Sequence, residues 1–179
     1  MSKKDLNAIL AGFGGQGVLF MGRAVATAGL LEGREVSWMP SYGPEMRGGT
    51  CNCSVCISDE EIGCPIVTVP DAAIVMNGPS FDKFVPRVKP GGVIVVESSI
   101  VTQKVERDDV TVYYVPATEL AEQHGLDGLG NLILTGKLLA ATGFCDIEIM
   151  PKVMETIVPD RKAHLIEKNF QAVKLGASQ

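Results

Sequence analysis

Short apolar runs alternate along this chain with stretches of helical spacing, and that alternation predicts an α/β domain. The run Ala8-Ile-Leu-Ala reads as a strand stopped by a glycine cluster at 12–17, after which Val18, Met21, Val25 and Leu30 recur at helical intervals. Gly33 punctuates the helix end, and Val36-Ser-Trp-Met resumes an extended pattern. Residues 7–39 therefore predict a βαβ unit with a right-handed parallel crossover. Residues 40–50 have no apolar period and carry two prolines and three glycines, so they read as a loop whose length and polarity mark it as functional. Cys51, Cys53 and Val55 then alternate with polar residues as a half-buried strand would.

Ala72–Asn77, Val93–Glu97 and Val112–Val115 read as further strands, with Pro79 opening a short helix through Phe81, Phe84 and Val88. Ala117–His124 reads as a helix, and helical spacing returns from Asn131 to Ala141 and breaks at Gly143. It resumes from Asp146 to Val158, with Pro151 suited to a first turn, and a last amphipathic helix runs from Arg161 to Leu175. No repeat or linker divides the pattern. The expectation is a single Rossmann-like three-layer α/β domain over residues 1–179, with a mixed, mainly parallel sheet.

At 179 residues such a domain buries about two-thirds of the surface its unfolded chain exposes, so it needs no disulfide or metal to fold. A net charge of −5 argues against nucleic acid or an acidic lipid surface as partner. No apolar run approaches the roughly 20 residues of a membrane span. The N-terminus lacks the features of a signal peptide, so the expected location is the cytoplasm. Five cysteines, an odd number, then read as free thiols.

The segment Gly12-Phe-Gly-Gly-Gln-Gly17 fits G-x-G-x-x-G directly after a strand and at the opening of a helix. Glycines there let a ligand approach the backbone, and helix N–H groups attract phosphate or carboxylate. The same spacing also serves tight packing of helix on strand. A nicotinamide site wants, in addition, an acid at the tip of the second strand. That strand is read here as ending in Trp38-Met-Pro, with neither acid nor arginine. In the second loop, Tyr42, Glu45 and Arg47 offer a ring, a carboxylate and a cation beside Gly48-Gly49, which suits a partner or an anionic ligand. A Glu45–Arg47 pair that merely orders the loop is the plain alternative.

Together, Gly12-x-Gly-Gly-Gln-Gly-Val18 and Pro40-Ser-Tyr-Gly-Pro-Glu-Met-Arg-Gly-Gly49 resemble the gamma subunit, or gamma domain, of 2-oxoacid:ferredoxin oxidoreductases. The likeness continues through Ile57-Ser-Asp, Pro65, Pro70-Asp71, the Pro-Gly-Gly turn at 90–92, Pro116-Ala-Thr-Glu and Asn131. It implies a multi-subunit enzyme that decarboxylates a 2-oxoacid on thiamine diphosphate, passes electrons through iron–sulfur clusters to ferredoxin, and forms an acyl-coenzyme A. The chain has no Cys-x2-Cys-x2-Cys-x3-Cys-Pro run and no Gly-Asp-Gly segment. Thiamine diphosphate, magnesium and iron–sulfur clusters are therefore expected on the alpha, beta and ferredoxin-like delta partners. By the same resemblance, Gly12, Gly14, Gly15, Gln16, Gly17, Tyr42, Glu45, Arg47, Gly48, Gly49 and Asn131 form a face that helps enclose coenzyme A. From its position after Gly128-Leu-Gly, Asn131 also reads as a helix N-cap. The alternative is a free-standing Rossmann-type nucleotide-binding oxidoreductase.

Cys51 and Cys53 should face one side of their strand and Cys56 the other, so they predict buried small hydrophobes and no metal cluster. His124, at a helix end, and His164, on the last helix, have no catalytic partner in the pattern. Trp38 reads as a core or interface aromatic.

Overall fold

The computed structural model describes residues 5–42 and 49–179. Its elements in chain order are β1 (Leu6–Phe13), α1 (Val18–Leu31), β2 (Glu35–Tyr42), β3 (Thr50–Ser58), β4 (Ala72–Val75), α2 (Gly78–Phe84), β5 (Val93–Glu97), β6 (Thr111–Val115), α3 (Ala117–Gln123), α4 (Gly130–Thr142), α5 (Met150–Ile157) and α6 (Ile166–Ala177). Short 3-10 turns at Val85–Arg87, Ile147–Ile149 and Asp160–Leu165 follow α2 and lead into α5 and α6.

The six strands form one sheet in the order β2-β3-β1-β4-β5-β6. Pairings β1·β4, β4·β5 and β5·β6 are parallel, whereas β3 runs antiparallel to both β1 and β2. The sheet is mixed and mainly parallel, as the apolar runs predict. The first crossover differs from its expected form: β1 and β2 point the same way, but β3 lies hydrogen-bonded between them. Two antiparallel ladders of eight residue pairs each, with Phe13 opposite Thr50 and Tyr42 opposite Cys51, hold β3 in that slot. The reading of residues 40–50 as loop is likewise corrected at its start, since β2 continues to Tyr42. Pro40 is tolerated because β2 is an edge strand, where a missing N–H need not break the ladder.

Helices cover both faces. On one, α1, α4, α5 and α6 bury Val25, Leu134, Leu138, Val153 and Val173 against Leu10, Val55 and Ile74 of the sheet. On the other, α2 and the turn after it bury Phe81, Phe84 and Val88 against Ile9, Ala73 and Ile94. Cys51 and Cys53 belong to the first core and Cys56 to the second, as strand alternation requires. Burial pushes the Cys53 thiol up to about 12, which leaves it protonated and inert as a nucleophile near neutral pH.

Two glycine pairs set how closely the helices sit. Along α1, a Cβ at Gly29 would meet Ile57 at 2.8 Å, and one at Gly22 would meet the indole nitrogen of Trp38 at 2.8 Å, so this helix lies almost flat on β3. Leu30, expected on the buried face, is 63% exposed because that face is taken by Met21, Gly22, Val25, Ala28 and Gly29. Gly136 of α4 and Gly176 of α6 let those two helices touch backbone to backbone, against the Val173 and Ile133 carbonyls respectively.

Candidate functional site

β1 and β4 are parallel neighbours, yet α1 leaves β1 for one face and α2 leaves β4 for the other. The chain therefore opens a crevice at the C-terminal ends of these two strands, the place where open α/β sheets bind ligands. The glycine turn forms its rim. Gly15 and Gly17 both have positive φ, 101° and 76°, and Gly17 is the N-cap of α1, so glycine is required at both places by backbone conformation.

Gln16 bridges the crevice. Its Oε1 accepts from the Phe13 N–H at 2.6 Å and its Nε2 donates to the Met76 carbonyl at 3.1 Å, tying the end of β1 to the end of β4. Gly12 makes room for this, since a Cβ there would stand 2.5 Å from Gln16 Oε1 and 3.1 Å from Met76 Cβ. Thus the first glycine of the motif admits a side chain of the protein itself.

Asn131 is not the N-cap of its helix. That position is held by Leu129 without a side-chain cap, and Asn131, one residue into α4, points away to Gly17, donating from Nδ2 to the Gly17 carbonyl at 3.2 Å. Its Oδ1 is buried and has no hydrogen-bond partner. The helix begins one residue earlier than its apolar pattern suggests, at Gly130, and this moves Asn131 from cap to site. Gly12, Gly14, Gly15, Gln16, Gly17 and Asn131 are accordingly brought together.

The second loop meets the first at one described point: the Gly14 N–H donates to the Gly49 carbonyl at 2.9 Å. The Tyr42 side chain, Glu45, Arg47 and Gly48 lie outside the described residues. The two turns that were read as one face are therefore joined at Gly14 and Gly49.

Of the clefts that border the glycine turn, two lie on its β3 and β4 sides, and another runs past Gly17 and Asn131 toward Arg23 and Lys162. On the β3 side, one of about 260 Å³ is lined by Phe13, Gly14, Val18, Phe20 and Cys51. On the β4 side the crevice, about 220 Å³, is lined by Gln16, Met76, Ile100, Thr118, Glu122, Asp127 and Asn131. The sequence reading missed Met76, Thr118, Glu122 and Asp127. The rule that ligands sit beyond the C-terminal ends of parallel strands could have pointed to them, because Met76 follows β4 and Thr118 opens the helix after β6. Behind Thr118 lies Glu97, fully buried at the end of β5, whose Oε1 accepts from the Thr118 N–H at 3.0 Å and whose Oε2 has no partner.

Among the described residues no three His, Cys, Asp or Glu side chains converge as a metal would require. His124 closes α3, with Nδ1 2.9 Å from the Leu120 carbonyl, and His164 falls in the 3-10 turn before α6 instead of in the helix. Trp38 packs partly buried against the first core. No described helix is long and apolar enough to cross a membrane.

A family model described as pyruvate ferredoxin/flavodoxin oxidoreductase matches residues 7–179. Ketoisovalerate oxidoreductase subunit VorA of Methanothermobacter thermautotrophicus is 39% identical over 175 residues, which is 97% of this chain and 36% of that protein. The chain thus spans little more than a third of that relative's length. The gamma subunit of a keto/oxoacid ferredoxin oxidoreductase from Geobacter sulfurreducens shares the fold with a TM-score of 0.80 at 28% identity, covering 96% of both chains. The 2-oxoglutarate:ferredoxin oxidoreductase of Magnetococcus marinus, solved with 2-oxoglutarate, coenzyme A and succinyl-CoA bound, superimposes with a TM-score of 0.86 at 23% identity over 99% of this chain and 31% of its own. The resemblance carried by the two glycine-rich loops holds along the whole core, and the chain belongs to the pyruvate ferredoxin/flavodoxin oxidoreductase family.

Proposed function

We propose that this chain is the gamma-type unit of a multi-subunit 2-oxoacid:ferredoxin oxidoreductase, an enzyme that converts a 2-oxoacid to its acyl-coenzyme A and hands electrons to ferredoxin. The observation that carries this reading is the end-to-end likeness to a gamma subunit, with 96% of each chain covered. The chain acts by closing a chamber and holding neighbours in register. Thiamine diphosphate, magnesium and the iron–sulfur clusters sit on alpha, beta and delta partners, and the assembly works in the cytoplasm.

We assign coenzyme A contact to the β3 side of the glycine turn, where Gly14 meets Gly49 at the end of the segment that carries Glu45, Arg47 and Gly48 and follows Tyr42. Backbone N–H groups at the start of α1 and a guanidinium suffice to hold phosphate. Gln16 and Asn131 keep the turn in place from the opposite side.

A free-standing dinucleotide enzyme is disfavoured by topology. In such folds the ribose-binding acid stands on the strand beside β1. Here the neighbour is the antiparallel β3, which presents Thr50 and Cys51 at that end.

The test is reconstitution. Purified alone, the chain is expected to be colourless and inactive, and with a thiamine-binding partner and its companions it restores 2-oxoacid-dependent dye reduction. Turnover of a 2-oxoacid by the isolated chain, or failure to associate with those subunits, contradicts the proposal. In the assembled enzyme Arg47→Ala is expected to raise the Michaelis constant for coenzyme A several-fold with little change in that for the oxoacid. Unchanged coenzyme A kinetics would leave the chain a scaffold only.

A further inference from the structure

The crevice between β1 and β4 has the wrong charge for a phosphate. Its described lining residues include the exposed acids Glu122 and Asp127 and no lysine or arginine. One further group calls for a donor. Asn131, 6% exposed, commits its Nδ2 to Gly17 and leaves Oδ1 buried without a hydrogen bond. An unmet buried acceptor is costly, and a cationic donor placed here relieves that cost while meeting the two acids.

Shape narrows the occupant. A volume of about 220 Å³ holds one long side chain and falls short of the roughly 300–1,000 Å³ of most small-molecule sites. The crevice is not polar throughout, since Ile100, 46% exposed, together with Ala121 and Met76 forms an apolar strip along it. Lysine and arginine combine an apolar stem with a charged head in this way, which a bare metal ion does not.

We infer that the crevice at the C-terminal ends of β1 and β4 is a socket for a lysine or arginine side chain of a partner subunit, its head between Glu122, Asp127 and Asn131 and its stem along Ile100. The inference rests on the multi-subunit reading and goes beyond it, by giving this cleft to a protein cation and leaving coenzyme A to the opposite side of the glycine turn. Gln16 and Asn131 form the partition between the two, so a docked cation braces the turn that faces the coenzyme.

The experiment measures the affinity of the full chain for its purified partner subunits against ionic strength. Glu122→Gln with Asp127→Asn changes two exposed side chains and should leave the fold intact, which circular dichroism checks. Association is expected to weaken at least about tenfold and to lose much of its salt dependence. Glu148→Gln, an acid in a separate groove with Glu32 and Asp146, should change neither quantity. Equal affinity of the double variant and the wild type overturns the socket. So does abolition of wild-type association by a metal chelator, or tighter binding of inorganic pyrophosphate to the double variant than to a Glu148→Gln control in proportion to lost partner affinity. A wild-type chain that does not associate at all sinks the multi-subunit reading as well, a different outcome from the variant alone being silent.

Discussion

Gly136→Ala is expected to lower stability by about 3 kcal/mol, read as a fall of more than 1 M in the urea midpoint at an m-value on the order of 2 kcal/mol/M. The substitution replaces glycine by the best helix former, a gain of about 1 kcal/mol in an open helix. Packing decides the sign. A Cβ on Gly136 would fall inside the contact radius of the Val173 carbonyl oxygen and 2.8 Å from its carbon, and both are backbone atoms of α6 that no rotamer change can move. Gly176 stands in the reciprocal relation to the Ile133 carbonyl, so the two helices cannot slide to absorb a methyl group without opening the whole contact. The required shift is on the order of 1 Å in a core packed to crystal density, where overpacking costs typically 1–3 kcal/mol or more. A midpoint equal to or above that of the wild type would show that α4 and α6 cross more widely than described.

Gly17→Ala is expected to damage the site more than the fold. The position has φ 76°, where a Cβ costs about 1–2 kcal/mol, and that Cβ would also collide with the Asn131 amide. The neighbour here is a side chain and can yield, but only by giving up its bond to the Gly17 carbonyl. In the reconstituted complex, coenzyme A-dependent turnover should fall more than about tenfold, in line with misplacing a positioning loop by a fraction of an ångström. Pairing the change with Asn131→Ala separates the two costs: the collision disappears in the double variant while the backbone strain stays. If the double variant were as impaired as the sum of the singles, Asn131 and Gly17 would not be coupled.

Both predictions turn on glycines, yet the pattern alone treats glycines alike. The motif Gly12-x-Gly-x-x-Gly17 reads correctly as a turn from strand to helix, because an apolar run followed by helical spacing is a local property. What the glycines admit was not legible. Gly12 makes space for Gln16, Gly17 for Asn131, and neither partner is deducible from spacing: Asn131 lies 114 residues further along the chain. Gly22, Gly29, Gly136 and Gly176 drew no notice in sequence, since a glycine inside a helix carries no sign of which backbone approaches it.

Strands β1, β3, β4, β5 and β6 and the C-terminal ends of α1 and α4 were determined by the sequence itself. Burial on both faces writes continuous apolar runs, and a positive φ at Gly33 and Gly143 writes helix ends. The cysteines' division between two cores followed from period alone. Only tertiary structure decided that β3 enters between β1 and β2, that Leu30 faces water, and that Asn131 crosses to the glycine turn in place of capping its own helix. Each of these depends on which surfaces meet after distant segments have packed. A side-chain period records that a face is buried, and it does not record against what.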